Sequence, residues 1–333
     1  MNRRVVIVGL MSALIVLGML MLINITAPDI VGEGVEKPEV NVALILKARH
    51  GEYWQTVNMG AEIAAKEFGV DVDYLAPEEE SDYKGQIEMI RAAVDRNYDG
   101  IVLAPSDLLL LEPALDYAHD KNVPVILIDS MVGTWKYYRS VTTNNYAAGE
   151  RLGKIAVELA GEECKVGIIS FVSGSENAIE REKGLRDHFS QYENVVIRDT
   201  MYSMSDVKLA SQITDFMLNE LRPPDVIIGL NTISTLGIAK EMAKYPESEQ
   251  IPVIGFDSTP QEIEYLESGV IDNAIVQNPF NMGYIGVSEA VEAITSMRLI
   301  AVDNKDIEVN TVIINADNLY DPENQKLIFP FNY

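Results

Sequence analysis

Polar and aromatic side chains recur along this chain just beyond short apolar runs. Tyr53 and Trp54 come first, followed by Asp107, Asp129, Met204, Asn231, Asp257 and Gln277. Carboxylates and amides exchange hydrogen bonds with hydroxyl groups, and rings offer flat apolar surfaces. The set suits recognition of a small polar molecule, and it contains no obvious catalytic pair. The three histidines, His50, His119 and His188, lack metal-ligand spacing. Neither a G-x-S-x-G elbow nor a phosphate loop is present. Gly32-Glu33-Gly34 has no strand before it and no helix after it. Cys164, flanked by Glu162, Glu163 and Lys165, permits no intramolecular disulfide and reads as an inert thiol near a strand start. No catalytic residue, metal or cofactor is expected, and the chain is not read as an enzyme.

Those side chains need a scaffold that gathers strand ends. Apolar runs are predicted as strands at Val42 to Leu46, Val70 to Leu75, Gly100 to Ala104 and Pro124 to Ile128. The pattern restarts at Lys165 to Ser170, Val195 to Tyr202, Asp225 to Leu230, Pro252 to Phe256 and Ala274 to Gln277. Helical stretches separate them. One presents Trp54, Val57, Ala61, Ala64 and Phe68 at the 3–4 spacing of a single apolar face. Such alternation predicts an α/β fold with two similar, doubly wound parallel-sheet lobes. Ligands of open parallel sheets sit beyond the carboxyl ends of the strands, where the side chains named above fall.

A chain of 333 residues with 47% hydrophobic and 23% charged residues can bury a sizeable core. Its formal net charge of -25 argues against nucleic acid as a partner. At the N-terminus, Arg3 and Arg4 precede an unbroken apolar run from Val5 to Ile23, long enough to span a bilayer. The cleavage site nearest to it is poor, with Ile25 at −3 and Pro28 following. Residues 1–27 are therefore expected to form a transmembrane anchor, with the remainder outside the cytoplasmic membrane. Cleavage would make the protein secreted instead. Residues 28–39, rich in Pro, Gly and Glu, read as a linker.

Beyond these patterns, the chain resembles a known family. Val253-Ile254-Gly255-Phe256-Asp257-Ser258-Thr259-Pro260 is close to the V-x-G-F-D-x-x-P signature of the type I periplasmic binding proteins of the ribose-binding class. Asp99 to Pro105, Val123 to Asp129, Asn144 to Gly149 and Arg181-Glu182-Lys183-Gly184 supply further pieces in the family's order. The resemblance covers roughly residues 40–314. It implies lobes joined by a three-segment hinge: 40–143 plus 278–309 for one, 144–277 plus 310–333 for the other. It implies a solute-binding protein that closes around a sugar or polyol and delivers it to an ABC permease. A tethered member could instead present its ligand to a membrane sensor, such as a histidine kinase or chemoreceptor.

The resemblance also implies roles. Asp257 and Asp129 match carboxylates that accept sugar hydroxyls, Arg181 an arginine that binds ligand oxygen, and Asn231 and Gln277 amides near the hinge. Tyr53 and Trp54 stand where the family has an aromatic pair. Met204 replaces a common aromatic residue, Ser130 a common Arg and Gly51 a common Asn. Asp107 is read equally as a ligand contact or a helix cap. Asp257 could itself cap the following helix, a task open to Ser258 or Thr259 as well. Lys47, Arg49 and His50 are unusual additions that would favour a more anionic or oxidised ligand.

Overall fold

The structure is a computed structural model that describes residues 40–247, 250–301 and 306–328. The expected anchor and linker lie outside the described residues. Among those described, no helix is long and apolar enough to cross a membrane.

Strands β1 (Asn41–Ile45), β2 (Asp71–Leu75), β3 (Gly100–Leu103), β4 (Val125–Asp129) and β5 (Arg139–Thr142) form one sheet. They are joined by β12 (Ile307–Glu308), in the order β12-β5-β4-β3-β1-β2. The second sheet holds β6 (Lys165–Ser170), β7 (Val196–Ile197), β9 (Val226–Gly229), β10 (Val253–Phe256), β11 (Asn273–Val276) and β13 (Val312–Ile314). Its order is β13-β11-β10-β9-β6-β7, and β8 (Met201–Tyr202) also pairs with β6. Every pairing in the first sheet is parallel.

Both faces of each sheet are covered, which explains the near-continuous apolar strands. Alternation along β1 sends Val42 and Leu44 into one core and Ala43 and Ile45 into the core on the opposite face. The first of these cores is closed by helices α1 (Glu52–Phe68) and α9 (Pro279–Ser296) through Val57, Ala61, Met282 and Val287. Helix α4 (Asn145–Ala160) lies beside α5 (Glu176–Phe189) in the second lobe.

Both helix pairs meet backbone to backbone. A Cβ on Gly60 would lie 2.0 Å from the Phe280 carbonyl oxygen, and one on Gly283 would lie 1.9 Å from that of Val57. The second lobe repeats the device: a Cβ on Gly149 would lie 2.1 Å from the Arg181 carbonyl oxygen, and one on Gly184 would lie 2.0 Å from that of Tyr146.

Three features differ from the sequence expectation. The run Val195 to Tyr202 is not one strand: β6 pairs with β7 through Lys165 and Val166, then with β8 through Ile169 and Ser170. The chain leaves the sheet between those pairings. Strands β5 and β12 are not apolar runs, and β13 is only three residues long, so none of the three is legible in the sequence. Strand β13 runs antiparallel to β11, so the second sheet is not purely parallel.

Candidate functional site

The carboxyl ends of both sheets face a single cavity of about 600 Å³. Of the sequence candidates, Tyr53, Trp54, Asp129, Arg181, Met204, Asn231, Asp257 and Gln277 line it. Asp107 does not. Its Oδ1 accepts from the backbone N–H groups of Leu109 (2.9 Å) and Leu110 (2.8 Å), so it organises the turn that precedes α3 (Glu112–Asp120).

Two carboxylates terminate equivalent strands with the same backbone twist. Asp129 has φ 67° and Asp257 φ 78°. Aspartate is among the few residues that visit this left-handed region, and strain of this kind collects at ligand sites. Both side chains are almost fully buried. Asp257 Oδ1 accepts from Gln277 Nε2 (2.8 Å), and its Oδ2 accepts from Thr232 Oγ1 (2.7 Å) and the Thr232 N–H (3.2 Å). It does not cap helix α8 (Pro260–Glu267). Thr259 does, in a reciprocal box with Glu262. Gln277 in turn accepts from Thr143 Oγ1 (2.9 Å), which ties the site to a segment where the chain passes between sheets.

The two carboxylates titrate in opposite directions. Burial raises the pKa of Asp257, and Arg181 with the Gln277 and Thr232 hydrogen bonds only partly counters it. Burial also acts upward on Asp129, but the charge and hydrogen bond of Lys47, then Arg181 and the Tyr53 hydroxyl, bring it below the ordinary aspartate value. Lys47, read in the sequence as an addition favouring an anionic ligand, pairs in the structure with Asp129. It is 2% exposed and its Nζ lies 2.7 Å from Asp129 Oδ2. It also donates to Ser175 Oγ (2.9 Å) and Asn177 Oδ1 (3.3 Å) across the cleft. Asn177 Nδ2 donates to the same Asp129 oxygen at 3.0 Å, whereas Ser130 Oγ donates to the Pro105 carbonyl at 2.8 Å.

Each of the three basic residues of the loop after β1 lies against a carboxylate. Lys47 is matched by Asp129. Arg49 Nε lies 3.0 Å from one oxygen of Glu78, and His50 Nε2 lies 3.2 Å from the other. Glu52, Glu79, Glu80 and Asp206 add carboxylates to the same cavity.

Arg181, 1% exposed, donates from Nε to Asn145 Oδ1 (2.9 Å) and from Nη1 to the Leu230 carbonyl (2.7 Å). Its guanidinium carbon stacks 3.6 Å above the Phe256 ring centroid. Nη2 is buried with no partner among the described residues, a donor at the cavity wall that lacks an acceptor. Asn231 Oδ1 caps α7 (Thr232–Met242) through the Ser234 N–H (2.9 Å), leaving its amide hydrogens.

The aromatic wall is held rigidly. Tyr53 and Trp54 pack edge to face with centroids 4.9 Å apart. The Tyr53 hydroxyl donates to Asp129 Oδ1 (2.9 Å), and Trp54 Nε1 donates to Glu80 Oε1 (2.9 Å). Glu80 was not singled out in the sequence, where it ends an acidic run resembling a solvated loop. Met204 is 47% exposed with φ 52°, so that wall is open and apolar. Among the described residues no cluster of His, Cys, Asp and Glu could hold a metal ion.

Residues 42–296 match the family described as periplasmic binding protein domain. The D-allose-binding periplasmic protein of Escherichia coli (strain K12) is 24% identical over 269 residues, covering 78% of this chain and 86% of the relative. An ABC transporter solute-binding protein from Agrobacterium vitis, solved with bound D-fucose, has a similar structure. Its TM-score is 0.81 at 28% identity, over 87% of this chain and all of that one. A carbohydrate transporter solute-binding protein from Agrobacterium radiobacter, in complex with D-arabinose, gives 0.82 at 27% identity, over 88% and 99% of the two chains. Two α/β lobes, strand-end carboxylates facing one cleft and the match over residues 42–296 agree: the chain belongs to the periplasmic binding protein domain family.

Proposed function

We propose that this protein is the solute-binding component of a sugar ABC importer, closing its lobes around a small neutral carbohydrate. The observation that carries the reading is Asp129 and Asp257, buried at equivalent strand ends and facing one cavity beside Arg181 and the Tyr53–Trp54 pair. Ionised carboxylates chelate vicinal hydroxyls, the guanidinium supplies fixed donors, and a ring face suits the C–H face of a sugar. The sugars bound by the relatives support the same class. The lining carries more carboxylates than cationic side chains, a balance that favours a neutral sugar over a sugar acid.

Sheet membership supports reading the lobes as 40–143 plus 278–309 and 144–277 plus 310–333, since β12 belongs to the first sheet and β13 to the second. The crossings next to Thr143, Gln277 and Asn310 serve as the hinge, and closure shifts a two-state equilibrium. A micromolar site requires roughly 8 kcal/mol. Charge-assisted hydrogen bonds of about 1.5–3 kcal/mol each, together with stacked rings, supply it after ordering costs. The run Val5 to Ile23 anchors the protein outside the cytoplasmic membrane.

A thermal-shift screen of sugars, polyols and sugar acids tests the reading. A binder at 100 times its Kd adds about 2.7 kcal/mol of stability. Neutral sugars are expected to give that gain and sugar acids none. No response to any carbohydrate, or a response unchanged in Asp257→Ala, would refute it.

A further inference from the structure

Glu80 makes two contacts that no single-lobe role explains. Its Oε1 accepts the Trp54 indole N–H at 2.9 Å, and its Oε2 accepts the hydroxyl of Ser205. Glu80 follows β2 of the first sheet, whereas Ser205 follows β8 of the second. One carboxylate therefore joins the ring that walls the cavity to the opposing lobe. The indole N–H is that side chain's only donor, so its acceptor decides how the ring is turned. Neighbouring Glu78 takes the Arg49 and His50 contacts, which leaves Glu80 to the cleft.

The far side of the contact is held under strain. Met204 and Ser205 have φ 52° and 54°, two successive non-glycine residues in the left-handed region. Such conformations persist where surrounding contacts over-determine them, and the Glu80 contact holds the Ser205 side chain in place. Both residues line the same cavity as Trp54.

We propose that Glu80 and Ser205 form an interlobe clasp that orients Trp54, so that closure of the lobes itself completes one wall of the site. Glu80 is thus a positioning residue. The role rests on reading the cleft as the ligand site, and it makes Trp54 a reporter of lobe closure.

The test uses the full chain carrying Trp135→Phe, which leaves Trp54 as its single tryptophan. With saturating D-allose or D-arabinose, which shuts the lobes, Ser205→Ala is expected to shift Trp54 emission to longer wavelength, although it deletes a hydroxyl from the other lobe. Glu80→Ala gives at least that shift, and Ser205→Ala adds nothing in its background. Glu80→Gln keeps an acceptor for the indole and stays near the parent. With D-allose or D-arabinose as probe, Ser205→Ala and Glu80→Ala each weaken affinity roughly tenfold or more, mainly through faster release, and non-additively. Parental emission in sugar-saturated Ser205→Ala, or additive losses in the double variant, would overturn the clasp. If no carbohydrate binds the parent, the sugar reading fails and the clasp that rests on it fails too, whereas parental emission in a sugar-saturated Ser205→Ala fails the clasp alone.

Discussion

Lys47→Met tests the buried charge pair at the centre of the site. The substitution keeps an unbranched apolar stem and removes the ammonium 2.7 Å from Asp129, a carboxylate with 3% of its side chain exposed. Breaking a buried pair by removing one partner typically costs about 3–5 kcal/mol. Here the cost has a ceiling. The stranded carboxyl can take up a proton, and at pH 7 that costs about 4 kcal/mol for a group of ordinary pKa near 3.9. Tyr53 and Asn177 still donate to it, which lowers the penalty further. The expected loss is therefore about 2–4 kcal/mol at pH 7.

The pH dependence carries the sign. In the parent, Asp129 sits below its unfolded value, so its contribution is present above about pH 4 and is lost as pH falls through the folded pKa. In Lys47→Met the folded pKa lies above the unfolded value. Its penalty is then absent below about pH 4 and grows as pH rises through the folded pKa. The stability gap between parent and variant should narrow on acidification from pH 7 to 5. Thermal melts across that range read it, at roughly 2–4 °C per kcal/mol or somewhat less for a chain of this size. Adding Asp129→Asn removes the stranded charge and should recover most of the loss. A variant that melts with the parent at pH 7, or a double variant no better than Lys47→Met, would refute the buried-pair argument.

Glu262 is fully buried, its pKa pushed well up by burial and then by Asp257, and its Oε1 has no partner among the described residues. A raised carboxyl weakens the fold as pH rises through its folded pKa, so Glu262→Gln should match the parent near pH 4 and melt higher at pH 7. Gly149→Ala drives a Cβ against the Arg181 backbone, and overpacking of this kind costs about 1–3 kcal/mol. Calorimetric titration should show weaker ligand binding as well, because α5 carries Arg181. Asp107→Ala should lower stability by about 0.5–2 kcal/mol in thermal melts while leaving ligand affinity within twofold, as expected of a turn cap outside the cavity.

The inner strands β1, β3, β4, β9 and β10 were legible because doubly covered parallel strands are apolar along nearly their whole length. Val125 to Ile128 is the clearest case. Asp257 was legible through its neighbours, and the structure assigned the capping task to Thr259. Strand β13 was not legible, because three residues on a sheet edge carry no periodicity. Lys47 was noticed, but its meaning depends on Asp129 and Asn177, 82 and 130 positions away, and charge pairing at that separation leaves no local mark. Glu80 was hidden by Glu78 and Glu79, since three like residues in a row conceal which one turns inward.

The paired glycines of α1 with α9 and α4 with α5 have a mechanical consequence. Helices in backbone contact cannot slide or tilt without collision, so each lobe is a stiff plate. Stiff and soft elements joined in series share a load unequally, and the softest takes nearly all the deformation. On the proposed hinge, the compliance of this molecule falls on the few torsions beside Thr143, Gln277 and Asn310. Substitutions at those torsions should tune how readily the cleft shuts while leaving its lining untouched.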